Sequence, residues 1–243
     1  MRSPENVVNE IEECFYKYNI REIDFYDQTF TLDKKRTLEI CNEIIKRRLK
    51  IIWTIRTRTD LIDRELLEAM KEAGLYRIMY GVESASQDII DRLNKNENLS
   101  RMQETINLTH RYGINILGFF MFGCPGETIE SLEQTKNFAL TMPFDDIQVS
   151  RFTLFPGTVF YREYMEGTGN DDYWKNYVVD RKSVGRLPLL DTSFNPEEIE
   201  KYIKKMYLIF YIRPKIFLKK IIRGNLLWNI QKYSKALFDM VFN

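Results

Sequence analysis

The 243-residue sequence has few of the residues from which metal sites and disulfide frameworks are built. Its three cysteines (Cys14, Cys41 and Cys124) are far apart and odd in number, and no C-x-x-C pair is present. This usage argues against a disulfide framework and a zinc site, and it favours a reducing compartment such as the cytoplasm. The single histidine, His110, falls on a polar helix face, so we expect it to be exposed without a metal or catalytic role.

The sequence also lacks an excess of charge of one sign and a long uninterrupted apolar run. A formal net charge of +1 argues against nucleic acid as a partner of the whole protein. The longest aliphatic stretch, residues 206–222, is broken by Arg213, Pro214 and three lysines, so no transmembrane segment is expected. No Ser/His/Asp set, P-loop or H-E-x-x-H motif is present. The 44% of hydrophobic residues still suffices for a full core.

Five short apolar runs alternate with amphipathic helical segments along the chain. The runs are centred near Ile23, Ile52, Met79, Phe119 and Val149, which lie 29, 27, 40 and 30 residues apart. A strand-helix unit needs roughly thirty residues, so this spacing indicates one βα unit repeated. The runs are mostly continuously apolar, which is typical of parallel strands covered on both faces. We predict an α/β fold, a partial parallel (β/α) TIM-like barrel that lacks its first strand because the chain opens on a helix.

The composition changes after the fifth apolar run. We predict a barrel over residues 1–158, a loop or cap region over 159–194 and a basic helical C-terminal extension over 195–243. Residues 201–243 hold ten Lys and Arg and one acid, Asp239. We interpret this extension as a docking helix whose lysines face solvent; contact with nucleic acid or an anionic membrane is the alternative.

Polar or glycine-rich stretches follow four of the strands where they end. They are Asp27-Gln28-Thr29, Arg56, Glu83-Ser84 and Gly123-Cys124-Pro125-Gly126-Glu127. In a parallel barrel the βα loops gather at the carboxyl ends of the strands, and ligands bind there. The sequence therefore predicts a small-molecule site at this edge.

Six stretches in order resemble the radical S-adenosylmethionine (radical SAM) enzyme family. More narrowly, they are similar to the branch that usually carries an N-terminal cobalamin-binding domain. The stretches are SPENVVNEIEE, IREIDFYDQTFTLDKKR, WTIRTRTD, LLEAMKEAGLYRIMYGVESASQDIIDRLNKN, GFFMFGCPGETIES and FPGT. The likeness runs from Ser3 to about Thr158.

The resemblance implies a partial (β/α)6 barrel and two cofactors. S-adenosylmethionine chelates a [4Fe–4S] cluster held by a C-x-x-x-C-x-x-C loop, and its reductive cleavage gives a 5′-deoxyadenosyl radical; a methyl group is transferred in some members. Cobalamin is a further candidate cofactor, bound by an N-terminal domain outside this sequence. The C-x-x-x-C-x-x-C motif is absent here and the cluster needs thiolate ligands. We therefore expect the chain to be inactive alone, with no metal ligand and no catalytic residue of its own.

The resemblance assigns the methionyl end of the cofactor to three strand ends. Asp27, with Gln28 and Thr29, would bind the methionyl ammonium; the alternative is that Asp27 caps the next turn. Arg56 would pair with the methionyl carboxylate, as a guanidinium fork suits that group; Arg58 competes for this role, and a surface ion pair is the alternative. Glu83 and Ser84 would contact the methionyl or ribose part, with a buried structural acid as the alternative.

The resemblance also assigns residues to the adenosine end of S-adenosylmethionine. Gly123 and Glu127, in the glycine-rich turn, would line the adenosine side, and Leu154 begins a segment that packs near the adenine. A plain strand-to-helix turn also needs glycines, so that interpretation stays open.

Two functions remain. The first is the C-terminal portion of a radical SAM enzyme acting on an unidentified small molecule, with another polypeptide segment supplying the missing strand and cluster loop. The second is a non-catalytic barrel remnant that binds a nucleotide-like ligand or acts as an assembly partner. An aldolase-like barrel is disfavoured because Lys50 lies at the start of a strand and not at its end.

Overall fold

A computed structural model of the chain describes residues 1–167, 172–182, 184–185, 187–214 and 216. Its five parallel strands form one sheet, in the order in which they follow along the chain. They are β1 (Glu22–Asp24), β2 (Ile52–Thr57), β3 (Leu75–Glu83), β4 (Asn115–Phe122) and β5 (Asp146–Arg151). The prediction of a partial parallel (β/α) barrel is confirmed.

Helices precede the first strand and connect the others. They are α1 (Pro4–Lys17), α2 (Lys34–Lys46), α3 (Arg64–Glu72), α4 (Gln87–Arg92), α5 (Leu99–Arg111), α6 (Ile129–Thr141), α7 (Val159–Gly167), α8 (Tyr173–Val179) and α9 (Pro196–Ile212), with 3-10 turns at Phe30–Leu32 and Thr59–Leu61. Ser3, Asp33 and Asp63 each accept a hydrogen bond from a backbone amide of the first turn that they precede. These side chains begin α1, α2 and α3 because they satisfy amides that have no partner within the helix.

The chain divides into two compact units, of which the first comprises Met1–Glu83, Asn96–Phe120 and Asn137–Gln148. Its core lies on the helix-facing side of the strands. The indole of Trp53 donates to the Ala73 carbonyl at 2.8 Å and packs edge-on against Phe25. On the next strand the hydroxyl of Tyr80 is hydrogen-bonded to that of Thr109, on α5, at 2.7 Å. Strand and helix are therefore joined by buried polar contacts as well as by apolar packing.

The opposite face of these strands is only half-buried. On β3, Ile78, Tyr80 and Val82 are buried, whereas the alternate residues Met79 and Gly81 are partly exposed, and β4 shows the same alternation. The prediction that both faces are covered is wrong for these two strands. Five strands do not close a barrel, so side chains on the inner face pack against fewer neighbours.

The second unit comprises Ser84–Lys95, Met121–Lys136 and Val149–Asn243, of which residues 217–243 lie outside the described part. Its apolar cluster is formed by Ile89, Cys124, Phe152, Leu154, Tyr161 and Leu187. Residues 159–194, predicted as a loop or cap, contain the two short helices α7 and α8. Their aromatic side chains pack against the cluster. This tertiary packing stabilises helices in a segment whose sequence shows little helical periodicity.

Helix α9 is the described part of the basic C-terminal extension. It begins at a capping box in which Asn195 and Glu198 each accept a hydrogen bond from the other's backbone amide. The hydroxyl of Tyr207, on α9, accepts a hydrogen bond from the Val149 amide at 2.8 Å and donates to the Val149 carbonyl at 3.2 Å. The helix therefore covers the outer edge of β5. No helix in the part of the chain described by the structure has the length and apolarity needed to cross a bilayer.

Candidate functional site

The carboxyl ends of the first three strands lie at one edge of the sheet. Asp24 on β1 is opposite Thr54 on β2, and Arg56 on β2 is opposite Met79 on β3. Parallel strands in this register all end at the same edge. The fold therefore places Asp27, Arg56 and Glu83 along that edge, as a ligand site at the strand ends requires.

The guanidinium of Arg56 is held by the neighbouring strand. Its Nη1 and Nη2 donate to the two carboxylate oxygens of Asp24 at 3.0 and 3.2 Å, and Nη1 also donates to the Phe25 carbonyl at 3.1 Å. The ring of Tyr26 lies against the guanidinium, with its centroid 4.1 Å from Cζ. The Arg56 side chain is 22% exposed, so one part of it still reaches solvent.

Asp24 is a charged partner in this cluster. The hydroxyl of Thr54 donates to its Oδ1 at 2.7 Å. Partial burial opposes the charge on Asp24, but hydrogen bonds from Arg56 and Thr54 outweigh it and hold the pKa of the carboxyl below its usual range. Sequence reasoning missed Asp24 and Tyr26. The available signal was the alternation of β1, which puts residues 24 and 26 on one face together with Arg56 of the adjacent strand.

Asp27 and Gln28 are exposed just beyond β1, and Thr29 is half-buried at the start of the 3-10 turn. The helix cap in this region is Asp33, so Asp27 does not serve that purpose. Among the described residues, no hydrogen bond or ion pair engages the Asp27 carboxylate. It is therefore available to an ammonium group at this edge.

Arg58, the competing candidate, is committed elsewhere. Its Nε and Nη2 donate to the two carboxylate oxygens of Asp60 at 2.9 Å each, and Nη2 lies 3.7 Å from buried Glu97. Glu97 also accepts a hydrogen bond from the Thr59 hydroxyl. This network ties the turn after β2 to α5. Arg56 and Arg58 each pair with an aspartate through two hydrogen bonds, so the choice between them for ligand binding stays a prediction.

Glu83 ends β3 in a left-handed backbone conformation, with φ of 67°. The pairing with β4 shifts register between Gly81 and Glu83, which accommodates the unusual turn. A non-glycine residue in this region is strained, and such strain concentrates at binding and catalytic sites. Glu83 is half-buried at the strand end and stays a candidate for ligand contact.

Ser84 is fully buried and its hydroxyl has protein partners. It is hydrogen-bonded to the Thr135 hydroxyl at 3.1 Å and accepts from the Ser86 amide at 3.1 Å. These bonds fasten the loop after β3 to α6. The structure therefore does not present the Ser84 hydroxyl to a ligand.

The glycine-rich turn after β4 is organised by the carboxyl group of Glu127. Oε2 accepts hydrogen bonds from the amides of Gly123 and Cys124, the second at 3.3 Å. Gly123 has φ of +80°, and a Cβ there would lie 3.0 Å from Leu189. Burial raises the pKa of Glu127, which is 2% exposed, to about 7, although the two amides act in the opposite direction.

Leu154 has its side chain fully buried in the apolar cluster of the second unit. Its carbonyl accepts a hydrogen bond from the indole of Trp174. The adjacent Phe155 is exposed and stacks on Trp174 at a centroid distance of 5.8 Å. Any contact of this segment with a ligand therefore has to use its backbone or Phe155, because the Leu154 side chain is not accessible.

The three cysteines are not arranged as metal ligands. Cys14 lies on α1, Cys41 on α2 and Cys124 in the turn after β4, and the latter two are fully buried. Burial raises the pKa of the Cys41 thiol to about 12, so it stays protonated. Within the described ranges no three His, Cys, Asp or Glu side chains could hold a metal ion. The three cysteines therefore do not fit a [4Fe–4S] cluster. Asp27 and Arg56 carry the charges that would complement the ammonium and carboxylate of S-adenosylmethionine, and their role as its ligands stays a prediction.

Among the described residues, no strand pairs with the outer edge of β1. β1 pairs with β2 through the Arg21 carbonyl and the Phe25 amide, so by alternation the polar backbone groups of Glu22 and Asp24 face the other way. A groove of about 260 Å³ lies beside this edge and is lined by both apolar and charged side chains, among them Val7 and Ile11 of α1 and Asp24 and Asp27. An open edge of this kind is a template for pairing with another strand.

The sequence model of the radical SAM superfamily matches residues 1–139. The chain belongs to the radical SAM superfamily. It is 33% identical over 225 residues to an uncharacterized methyltransferase of Pyrococcus horikoshii, covering 90% of this chain and 47% of the relative. It is 32% identical over 219 residues to an anaerobic magnesium-protoporphyrin IX monomethyl ester cyclase of Cereibacter sphaeroides, covering 87% of this chain and 36% of the relative.

Solved structures of radical SAM enzymes share the fold. The methyltransferase TsrM of Kitasatospora setae, solved with cobalamin and a [4Fe–4S] cluster, matches with a TM-score of 0.64 at 19% identity over 69% of this chain and 34% of its own. Coproporphyrinogen III oxidase HemN of Escherichia coli matches with a TM-score of 0.56 at 14% identity over 87% of this chain and 46% of its own.

The radical SAM chain spans about half the length, or less, of these relatives. The resemblance inferred from the motifs is confirmed at the level of the family, and the family's cofactors are S-adenosylmethionine and a [4Fe–4S] cluster.

Proposed function

We propose that this chain forms the S-adenosylmethionine-binding part of a radical SAM enzyme, which cleaves the cofactor reductively or transfers its methyl group to a small molecule. The observation that carries the proposal is the pairing of complementary charges at the ends of β1 and β2. The Asp27 carboxylate suits the ammonium of the methionyl group, and the Arg56 guanidinium suits its carboxylate.

The cluster has to come from residues outside those described here. We propose that a segment with a C-x-x-x-C-x-x-C loop adds a strand to the open edge of β1, either from the same polypeptide or from another chain. Two features support this edge: the outward backbone groups of Glu22 and Asp24, and the groove beside them, which is lined by both apolar and charged side chains. The opposite edge is less suited because Tyr207 already bonds Val149 of β5.

The test is to produce the chain together with the polypeptide encoded immediately upstream, read in frame or as a neighbouring gene. Iron and sulfide are measured after anaerobic purification, and nucleoside products are separated after addition of S-adenosylmethionine and a reductant. Formation of 5′-deoxyadenosine with methionine indicates cleavage, and S-adenosylhomocysteine indicates methyl transfer. Cysteine-to-alanine substitution in the upstream loop is the control that must abolish either product. A cluster-loaded complex that forms neither product would refute the proposal.

The second candidate is a non-catalytic barrel that binds a nucleotide-like ligand or serves as an assembly partner. It is favoured by one observation: the three cysteines lie on different elements, and two of them, Cys41 and Cys124, are buried. Under this alternative the chain binds S-adenosylmethionine or adenosine by calorimetry, but no upstream segment converts it into an active enzyme.

We propose that the cobalamin used by this branch binds a domain outside this chain. We also propose that the transferred group is a methyl group, because a relative at 33% identity is named a methyltransferase. We also propose a cytoplasmic location, from the absence of disulfides among the three cysteines. A near-neutral charge keeps nucleic acid outside the proposed partners.

A further inference from the structure

We propose that Asp24 and Tyr26 are positioning residues, which orient the Arg56 guanidinium so that one of its edges is presented to a ligand carboxylate. The proposal rests on the proposed function, because the ligand is the methionyl group of S-adenosylmethionine. Its own content is the role of Asp24 and Tyr26, for which the sequence motifs provide no assignment.

Asp24 and the backbone occupy one edge of the guanidinium. The end-on edge, formed by Nη1 and Nη2, is taken by the two oxygens of Asp24. The remaining proton of Nη1 is directed at the Phe25 carbonyl at 3.1 Å. All donors of Nη1 are therefore used inside the protein.

Tyr26 restrains the plane of the same group. Its ring centroid lies 4.1 Å from Arg56 Cζ, within the range of a cation–π contact. The tyrosine itself is 83% exposed, so its apolar surface contributes little to a core. A large aromatic side chain kept on the surface against a single arginine is better explained by orientation of that arginine than by packing.

The side-on edge of the Arg56 guanidinium, formed by Nε and Nη2, is the part that the described residues leave available to a ligand. Nε, and the second proton of Nη2, have no partner among the described residues. Nε and Nη2 form a fork that matches the two oxygens of a carboxylate. Asp24 therefore does not compete with the ligand carboxylate, because Asp24 binds the end-on edge of the guanidinium and keeps the side-on edge in a fixed orientation. Restraining a long side chain before binding reduces the entropy lost when the ligand arrives.

Asp24 is itself held. The Thr54 hydroxyl donates to Oδ1 at 2.7 Å, and Thr54 lies directly opposite Asp24 in the strand pairing. The orientation of Arg56 therefore derives from the register of β1 and β2. A one-residue slip between these strands would turn Asp24 to the other face and release the arginine.

The test compares S-adenosylmethionine with decarboxylated S-adenosylmethionine, which keeps the ammonium but lacks the carboxylate. Calorimetry is carried out on the chain and on Asp24→Asn, Tyr26→Ala, Tyr26→Phe and Arg56→Lys. We expect Asp24→Asn and Tyr26→Ala to lose about tenfold in affinity for S-adenosylmethionine and less than twofold for the decarboxylated analogue. Arg56→Lys keeps the positive charge but lacks the two-donor fork, so it should also lose the preference for S-adenosylmethionine over the decarboxylated analogue. Tyr26→Phe keeps the ring and should behave as the unmodified protein.

The inference is overturned if Asp24→Asn keeps the preference for the carboxylate-bearing ligand or increases it, as it would if Asp24 were a competitor. If the unmodified chain binds neither nucleoside, the proposed function fails. The inference is then decided by the Nε–H resonance of Arg56, assigned through its loss in Arg56→Lys. Sodium acetate should shift this resonance in the unmodified chain and not in Asp24→Asn, and no shift in the unmodified chain would refute the positioning role.

Discussion

The buried carboxyl of Glu127 should make the stability of the protein decrease as the pH rises through neutrality. Burial raises its pKa from the ordinary value of 4.5 to about 7. Its Oε1 is buried and has no hydrogen-bond partner among the described residues, so nothing but the amides of Gly123 and Cys124 offsets the charge. The folded protein therefore binds this proton more tightly than the unfolded chain does.

The sign follows from proton linkage. Because the pKa is raised on folding, the stabilisation is fully present below pH 4.5 and is lost as the pH rises through 7. Integration between pH 5 and pH 8 gives a loss of about 2.5 kcal/mol in the free energy of unfolding. Carboxyls whose pKa is lowered, such as that of Asp24, lose their contribution only at more acidic pH. The Cys41 thiol, with a pKa of about 12, affects stability only at more alkaline pH.

The assay is urea unfolding at pH 5, 6, 7 and 8, compared between the unmodified chain and Glu127→Gln. The glutamine keeps an acceptor oxygen for the two amides and does not titrate. We expect the stability of the unmodified chain to fall by about 2.5 kcal/mol more than that of the variant across this range. A uniform loss of stability in the variant, from a buried amide NH2 without a partner, leaves the difference in slope unchanged.

Parallel pH dependence in the two proteins would refute the reasoning, because it would mean that Glu127 carries its charge in the folded protein at all four pH values. Glu163→Gln is the matched control. That glutamate is 37% exposed in an ion pair with Arg92, so its substitution should leave the slope as it is.

Three further outcomes are expected. Ser84→Ala should lower the free energy of unfolding in urea by about 1–3 kcal/mol, because it removes a buried hydrogen-bond partner of Thr135. The affinity of this variant for S-adenosylmethionine, measured by calorimetry, should stay within twofold of that of the unmodified chain. A loss of affinity with intact stability would show that the serine binds the ligand. Tyr207→Phe should lower the free energy of unfolding by about 1–3 kcal/mol, because the Val149 amide and carbonyl at the β5 edge lose their hydrogen-bond partner. The exposed edge should also promote self-association, measured by light scattering. A variant that stays monomeric would contradict this prediction. In the folded chain a thiol reagent should label Cys14 faster than the two buried cysteines, with all three labelled in urea; three equal rates would contradict their burial.

The repeated βα unit was predictable from the sequence because apolar runs recur at the spacing that the unit requires. All five predicted strand centres lie inside observed strands, and the caps Ser3, Asp33 and Asp63 start the helices that they precede. These features depend on local hydrogen bonding and periodicity. The two helices in residues 159–194 were not predictable, since aromatic packing stabilises them and intrinsic periodicity does not.

The sequence by itself determined the family, the order of the strands and the chemistry available at their ends, because motif residues and periodicity are properties of neighbours along the chain. Only the tertiary structure decided what each side chain does with that chemistry. It placed Asp24 against Arg56 from 32 residues away, turned Ser84 toward α6 and buried Leu154 and two of the cysteines. Which edge of a guanidinium stays open depends on the register of two strands, and that register is established only when the sheet forms.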